Sequence, residues 1–144
     1  MDDNKKSRNF RNYKVWQDAV DYASKVYKIT ADMPWFEKKG LCDQLQRAAV
    51  SISSNIAEGS ARPSDADFAH FLDTALGSAF EVETQLLIAK NVGYFNNAND
   101  NGNANVNDNA KGVPSYEDLL SDLHEIEKQI AGMIKTIRQS QRYH

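Results

Sequence analysis

The sequence predicts an all-α protein that folds as an antiparallel up-down-up-down four-helix bundle. Apolar residues recur every three or four positions along most of the 144 residues, which is the spacing of one helix face. Only 7 Gly and 3 Pro interrupt the chain, too few for the many turns of an all-β fold. The apolar runs fall into four segments, three of them separated by short connections, and an up-down-up-down bundle is their natural packing.

The first helix is predicted over residues 14–32, with Asn12 as its N-cap and Pro34 beyond its end. The second is predicted over residues 36–61, and Gly59 and Pro63 mark its exit. The core-facing residues of the two helices are expected to be Val15, Ala19, Tyr22, Val26 and Ile29, then Leu41, Leu45, Ala49, Ile52 and Ile56.

The third helix is predicted over residues 65–94 and the fourth over residues 115–139. Each follows a serine that has an aspartate three residues later, the pattern of a capping box. The expected core residues are Phe68, Leu72, Ala75, Ala79, Val82, Leu86 and Ala89, then Leu119, Leu123, Ile126, Ile130, Met133 and Ile137. Between them, Asn occupies 8 of the 14 positions from 96 to 109, so residues 96–113 are predicted to be a flexible loop within a single domain, 1–144.

Two helices carry more apolar surface than one bundle core needs. One explanation is a wide core, and the alternative is a subunit interface, because large exposed apolar patches usually mark association. The residues assigned to the possible oligomer interface are Val50, Ala57, Leu76, Phe80 and Leu87.

The second helix also contains Ser, Asn and Gly residues that are poor formers of a helix interior. Glu58 and Arg62 are four residues apart and could pair across the helix end, and Asn55 needs hydrogen-bond partners if it is buried. These three residues are predicted to form a structural polar cluster rather than an active site.

The residues that could support catalysis do not form a recognisable constellation. His70, His124 and His144 are isolated in sequence, and Cys42 lies among apolar residues, as a small buried hydrophobe does. Residues 97–108 have the spacing of a calcium loop but almost none of its carboxylates. We therefore expect no enzyme, no metal and no cofactor. With one cysteine, no apolar leader and no membrane span, the expected location is the cytoplasm.

Charge is unevenly distributed around a net value of −3. The first 14 residues carry a net charge of +3, whereas residues 63–95 carry −4. Any contact with nucleic acid must therefore be local. The candidates are Lys5, Lys6, Arg8, Arg11 and Lys14, with Arg47 and Arg62 added if an assembly exposes them.

Three runs of residues resemble one known family. They are YKVWQ at 13–17, QLQRAAVSISSNIAEG at 44–59 and FLDTALGSAFEVETQL at 71–86. The sequence is similar to the bacterial four-helix-bundle proteins encoded in intervening sequences of 23S ribosomal RNA genes, often labelled ribosomal protein S23. Accessory variability determinants of diversity-generating retroelements are related to these proteins. The resemblance covers residues 10–95.

The resemblance implies a bundle that assembles into a homopentameric ring without enzymatic activity. Two functions remain open at this point. The first is a homo-oligomeric scaffold that contacts structured RNA or an RNA–protein complex. The second is a protein-interaction module, for a partner such as a reverse transcriptase, that binds no nucleic acid itself. Neither function involves a membrane or a small-molecule substrate.

Overall fold

The computed structural model describes residues 8–95 and 112–142. Four α-helices account for most of them: α1 (Lys14–Ala31), α2 (Leu41–Ser60), α3 (Asp65–Asn91) and α4 (Tyr116–Arg142). Two short 3₁₀ helices, Phe10–Asn12 and Trp35–Glu37, precede α1 and α2. No strand occurs in these two ranges, so the predicted all-α class is confirmed. The predicted loop falls mostly on residues 96–111, which lie outside the described residues.

The helices pack around one apolar core, with α3 against α2 and α4, and α1 against the same two helices. Two polar contacts join α1 to α4. Gln129 Nε2 donates to Asp18 at 3.0 Å, and Lys25 Nζ donates to Asp122 at 2.7 Å. Between α2 and α3, the Gln85 side chain contacts Gln44. Within the described residues, no helix is both long and apolar enough to cross a membrane.

Serine hydroxyls at two helix starts behave as their sequence pattern predicts. Ser64 Oγ accepts a hydrogen bond from the Asp67 amide at 3.1 Å, and Ser115 Oγ accepts one from Asp118 at 3.0 Å. Both contacts satisfy an amide that has no partner within its own helix. The start of α1 differs from the prediction. Its N-cap is Tyr13, without a side-chain cap, because Asn12 belongs to the preceding 3₁₀ helix.

The start of α2 was predicted too early. Residues Trp35–Glu37 form a separate 3₁₀ helix, and the α-helix begins at Leu41. Gly40 separates the two because its backbone (φ −109°, ψ −105°) leaves the helical conformation. Glu37 then fixes this junction, since one carboxylate oxygen accepts from the Leu41 amide at 3.4 Å and the other from the Tyr94 hydroxyl at 2.6 Å.

The predicted core is largely confirmed, with three exceptions. In α4 the buried stripe continues from Ile130 to Ile134, whereas Met133 and Ile137 are only partly buried. The core residue after Ile130 is therefore Ile134, four positions later, and not Met133, three positions later as predicted. This spacing keeps the buried side chains directed at the core. Leu41 is also only partly buried. The apolar residues that lie fully inside include Tyr22, Leu45, Ile52, Ile56, Leu72, Leu86, Leu119, Leu123, Ile126 and Ile130.

Candidate functional site

Asn55 lies in a polar cluster, but its partners differ from those predicted. Its Nδ2 donates to the Ser51 carbonyl at 2.8 Å and to Ser51 Oγ at 2.9 Å. Ser51 Oγ in turn lies 2.8 Å from Ser78 Oγ on α3. The cluster therefore links α2 to α3 through small side chains, and it satisfies the amide of Asn55 without help from a charged residue.

Glu58 and Arg62 do not join this cluster. The Arg62 guanidinium lies over the Phe71 ring, 5.3 Å from its centroid, and the Arg62 carbonyl accepts a hydrogen bond from Arg8. Within the described residues Glu58 and Arg62 form no ion pair. Arg62 lies beyond the end of α2, where the chain has left the helix that would hold the two residues one turn apart.

A groove runs along α2 beside α1 and gathers several of the predicted residues. Arg47 lies in it, with Nε 3.0 Å from an Asp43 carboxylate oxygen. Val50, on the next turn, is 39% exposed. The groove is lined by Tyr27, Asp43, Gln46, Arg47, Val50, Ser51, Ser54, Asn55 and Glu58. It combines the half-exposed apolar Val50 with hydroxyl, amide and charged groups.

The outer face of α3 carries an exposed apolar stripe. Phe80 is 52% exposed and Leu87 is 47% exposed, and the two lie on the same side of the helix because they are seven residues apart. Leu76, predicted with them, is partly buried and packs against the core. Ala57 on α2 is also partly buried. The apolar stripe of α3 therefore consists of Phe80 and Leu87, joined at its edge by the exposed Ile88.

Most of the described basic residues predicted to contact RNA already bind groups of this chain. Arg8 pairs with Asp65, and Lys14 pairs with Asp18 at 2.7 Å. Arg8 also lies over the Phe68 ring. Arg11 is different. Its guanidinium lies 4.5 Å from the Phe10 ring centroid, and its one side-chain hydrogen bond to a described residue is to the neutral Asn9 side chain. Lys5 and Lys6 lie outside the described residues.

Cys42 and His70 have surroundings that fit a structural role. The Cys42 thiol is buried and points toward the Thr30 carbonyl at 3.6 Å. Burial, with the charge of Glu37 added to it, raises the pKa of the Cys42 thiol, which is opposite to the activation of a nucleophile. His70 is exposed, and the nearby Asp73 carboxylate binds Arg138 on α4 instead.

His124 is not isolated, contrary to the expectation from sequence. Glu83 on α3 and Glu127 on α4 lie close enough for ligand-type atoms of all three residues to fall within 4.8 Å of one another. The sequence signal for half of this cluster is the three-residue spacing of His124 and Glu127, which places both on one helix face. Glu83 is 41 positions before His124, and no local pattern connects it to the other two.

Most of the chain matches a known protein family. The profile of the 23S rRNA-intervening sequence protein family matches residues 11–113, which is more than half of the chain. The match includes α1, α2 and α3, and with them the α2 groove, the polar cluster and the apolar stripe of α3. No curated protein sequence matches the chain. The chain belongs to the family of 23S rRNA-intervening sequence proteins.

Proposed function

We propose that this protein is a non-enzymatic scaffold that assembles into a homopentameric ring and contacts structured RNA or an RNA–protein complex in the cytoplasm. The observation that carries the assembly is the exposed apolar stripe of α3, Phe80 and Leu87, together with the exposed Val50 on α2. Exposing these side chains to water is unfavourable, and covering them with another copy of the chain removes that cost.

A ring of this kind needs each protomer to be a rigid block. An antiparallel up-down-up-down arrangement of the four helices provides one. Its support is the order of the contacts, since Asp18 and Lys25 ascend along α1 while their partners Gln129 and Asp122 descend along α4. The relationship to ribosomal protein S23-type proteins and to accessory variability determinants, which is part of this proposal, would agree with the arrangement.

The RNA contact is supported by the family, which is named for an intervening sequence of ribosomal RNA, and by the basic character of the N-terminal residues. Arg11 is the best-placed described contact. It is exposed and its guanidinium faces an aromatic ring rather than a carboxylate, so binding a phosphate costs no internal ion pair.

One observation favours a second function, a protein-interaction module that does not touch nucleic acid. Arg8, Lys14 and Arg47 are each paired with an aspartate of the same chain. A cation that is already neutralised contributes less to phosphate binding. On this alternative the ring binds a protein, such as a reverse-transcriptase-type partner, through the α2 groove.

A salt titration separates the two functions. The probe is a fluorescein-labelled RNA hairpin, and its binding is measured between about 50 and 200 mM salt. RNA binding predicts a steep fall in affinity, and a variant with Lys5→Gln, Lys6→Gln and Arg11→Gln should reduce the salt slope by roughly 1 for each phosphate contact that is lost.

The matched control removes three positive charges elsewhere, through Lys28→Gln, Lys38→Gln and Lys39→Gln, and should leave the slope unchanged. An equal reduction of the salt slope in the two variants would show that RNA binding depends only on the overall charge of the protein. If the hairpin does not bind at low salt, the RNA contact is wrong, and a protein that co-purifies after nuclease treatment supports the alternative. Light scattering tests the ring separately, with an expected mass of about 81 kDa, five times the 16.2 kDa chain.

A further inference from the structure

Glu83, His124 and Glu127 form a compact cluster where α3 packs against α4. His124 Nε2 lies 3.4 Å from Glu83 Oε2, and one ligand-type atom from each residue lies within 4.8 Å of the other two. The cluster combines an imidazole with two carboxylates, a donor set that transition metals accept. It is separate from the α2 groove and from the basic residues near the N-terminus.

The separation of the His124 and Glu83 donor atoms fits a small tetrahedral metal ion. Zinc binds imidazole nitrogen and carboxylate oxygen at about 2.0–2.2 Å, which puts two neighbouring ligands about 3.4 Å apart in a tetrahedral site. His124 and Glu83 already have this separation. An oxygen of Glu127, the third donor, lies within 4.8 Å of both other donor atoms.

The helices hold these donors in place. On α3, Glu83 follows the fully buried Val82, and on α4, His124 and Glu127 follow the fully buried Leu123 and Ile126. Each donor therefore extends from a backbone position that core packing fixes. A site built on packed helices changes little in geometry when it takes up an ion.

One carboxylate oxygen of the cluster has no partner in the part of the chain that the structure describes. Oε2 of Glu127 is inaccessible to solvent and makes no hydrogen bond among the described residues. A second carboxylate, Glu83, lies beside it. Two adjacent carboxylates need a shared proton or a cation between them.

We propose that Glu83, His124 and Glu127 bind one divalent transition-metal ion of the zinc type. The imidazole favours Zn²⁺, Co²⁺ or Ni²⁺ over Mg²⁺ and Ca²⁺, which prefer oxygen ligands. With three protein ligands, a tetrahedral ion keeps one position for water. Because the donors come from two helices, the ion also connects α3 to α4 and stabilises the folded chain by mass action.

The test is titration of the full chain, first freed of metal with a chelator, with Zn²⁺ and separately with Mg²⁺. We expect Zn²⁺ to bind one ion per chain by calorimetry and to raise the Tm, and Mg²⁺ to do neither. Loss of an outer-shell partner costs on the order of tenfold in metal affinity or more. His124→Ala removes a direct ligand and Glu127→Gln replaces a carboxylate ligand by a neutral amide, so each should cost at least as much.

Two variants serve as matched controls. His70→Ala removes another exposed imidazole from α3, and Glu125→Gln neutralises an exposed carboxylate next to His124; both should bind Zn²⁺ like the parent chain. Circular dichroism of every variant shows whether it is folded. Absence of Zn²⁺ binding, binding that survives His124→Ala and Glu127→Gln in folded chains, or equal loss in the two controls would each overturn the proposal.

Discussion

A Cβ atom placed on Gly59 would lie 2.6 Å from the Cβ atom of Phe71. The same position would be 3.0 Å from a ring carbon of Phe68. The end of α2 therefore approaches α3 so closely that a hydrogen is the largest side chain that fits. This contact sets how the two helices cross, and it explains a glycine inside the last turn of α2, where glycine is otherwise unfavourable.

Gly59→Ala should destabilise the protein. Overpacking typically costs about 1–3 kcal/mol, and the gain in helix propensity returns at most about 1 kcal/mol. Urea unfolding measures the difference. The control is Gly132→Ala on α4, where an added Cβ has no neighbour within 4 Å; it should be neutral or slightly stabilising. Equal stability of the two variants would contradict the close approach.

Tyr22→Phe should lower the free energy of unfolding by about 0.5–1.5 kcal/mol, the net value of one hydrogen bond. The Tyr22 hydroxyl is buried and donates to the Leu119 carbonyl of α4 at 3.0 Å. Thermal or urea unfolding detects the loss. Tyr27→Phe removes a hydroxyl from a tyrosine that is exposed and should change stability by less; the opposite order would exclude this bond as a link between α1 and α4.

Phe80→Asp and Leu87→Asp should dissociate the proposed ring without unfolding the protomer. Both side chains are about half exposed, so a carboxylate stays hydrated in the free protomer but becomes unfavourable in a covered interface. Light scattering gives the mass and circular dichroism the helix content. Thr74→Asp adds the same charge to an exposed position on another side of α3 and should leave the mass unchanged. If all three variants keep the mass of the parent, the interface lies elsewhere.

In the presence of a chelator, the free energy of unfolding should fall between about pH 4.5 and 7 through Glu127. An unfolded glutamate releases its proton near 4.5. In the folded chain, burial first and then the interaction with the neighbouring Glu83 carboxylate raise the pKa of Glu127 to about 7. Over this interval the folded state binds more protons than the unfolded state, and stability therefore decreases as pH rises.

Glu127→Gln should remove that part of the pH dependence and make the variant more stable than the parent above pH 7. Urea unfolding at several pH values measures the slope, and the exposed Glu125→Gln provides the control. If the slope is the same in the parent and in Glu127→Gln, the raised pKa of Glu127 is excluded.

The sequence predicts the features of the fold that depend on local patterns of residues. The periodic apolar positions locate all four helices, and Ser64 and Ser115 identify two helix starts because their capping bonds reach only three residues. The errors occur where a second local preference competes. Pro34 and Gly40 on either side of Trp35–Glu37 turn an expected helix start into a separate 3₁₀ helix.

The site residues depend on distances between helices, which one sequence does not provide. The sequence predicts that a buried Asn55 needs hydrogen-bond partners, but it does not identify them. Ser78, which extends the cluster through Ser51, lies on α3 and comes within reach only when α2 and α3 pack together. The contact of His124 with Glu83 also joins two different helices, so the sequence alone does not predict it. Arg62 shows the opposite error, since a four-residue spacing suggests pairing with Glu58 only if the helix continues through both.

The two tryptophans have different surroundings, which gives the chain an intrinsic optical probe. Trp16 on α1 is partly buried and meets the Phe10 ring edge-on at 5.0 Å, whereas Trp35, in the connection before α2, is 86% exposed. In a Trp16→Phe variant the remaining emission comes from Trp35 alone. A blue shift on mixing with a partner would then report that the α1–α2 end of the bundle has been covered, without any added label.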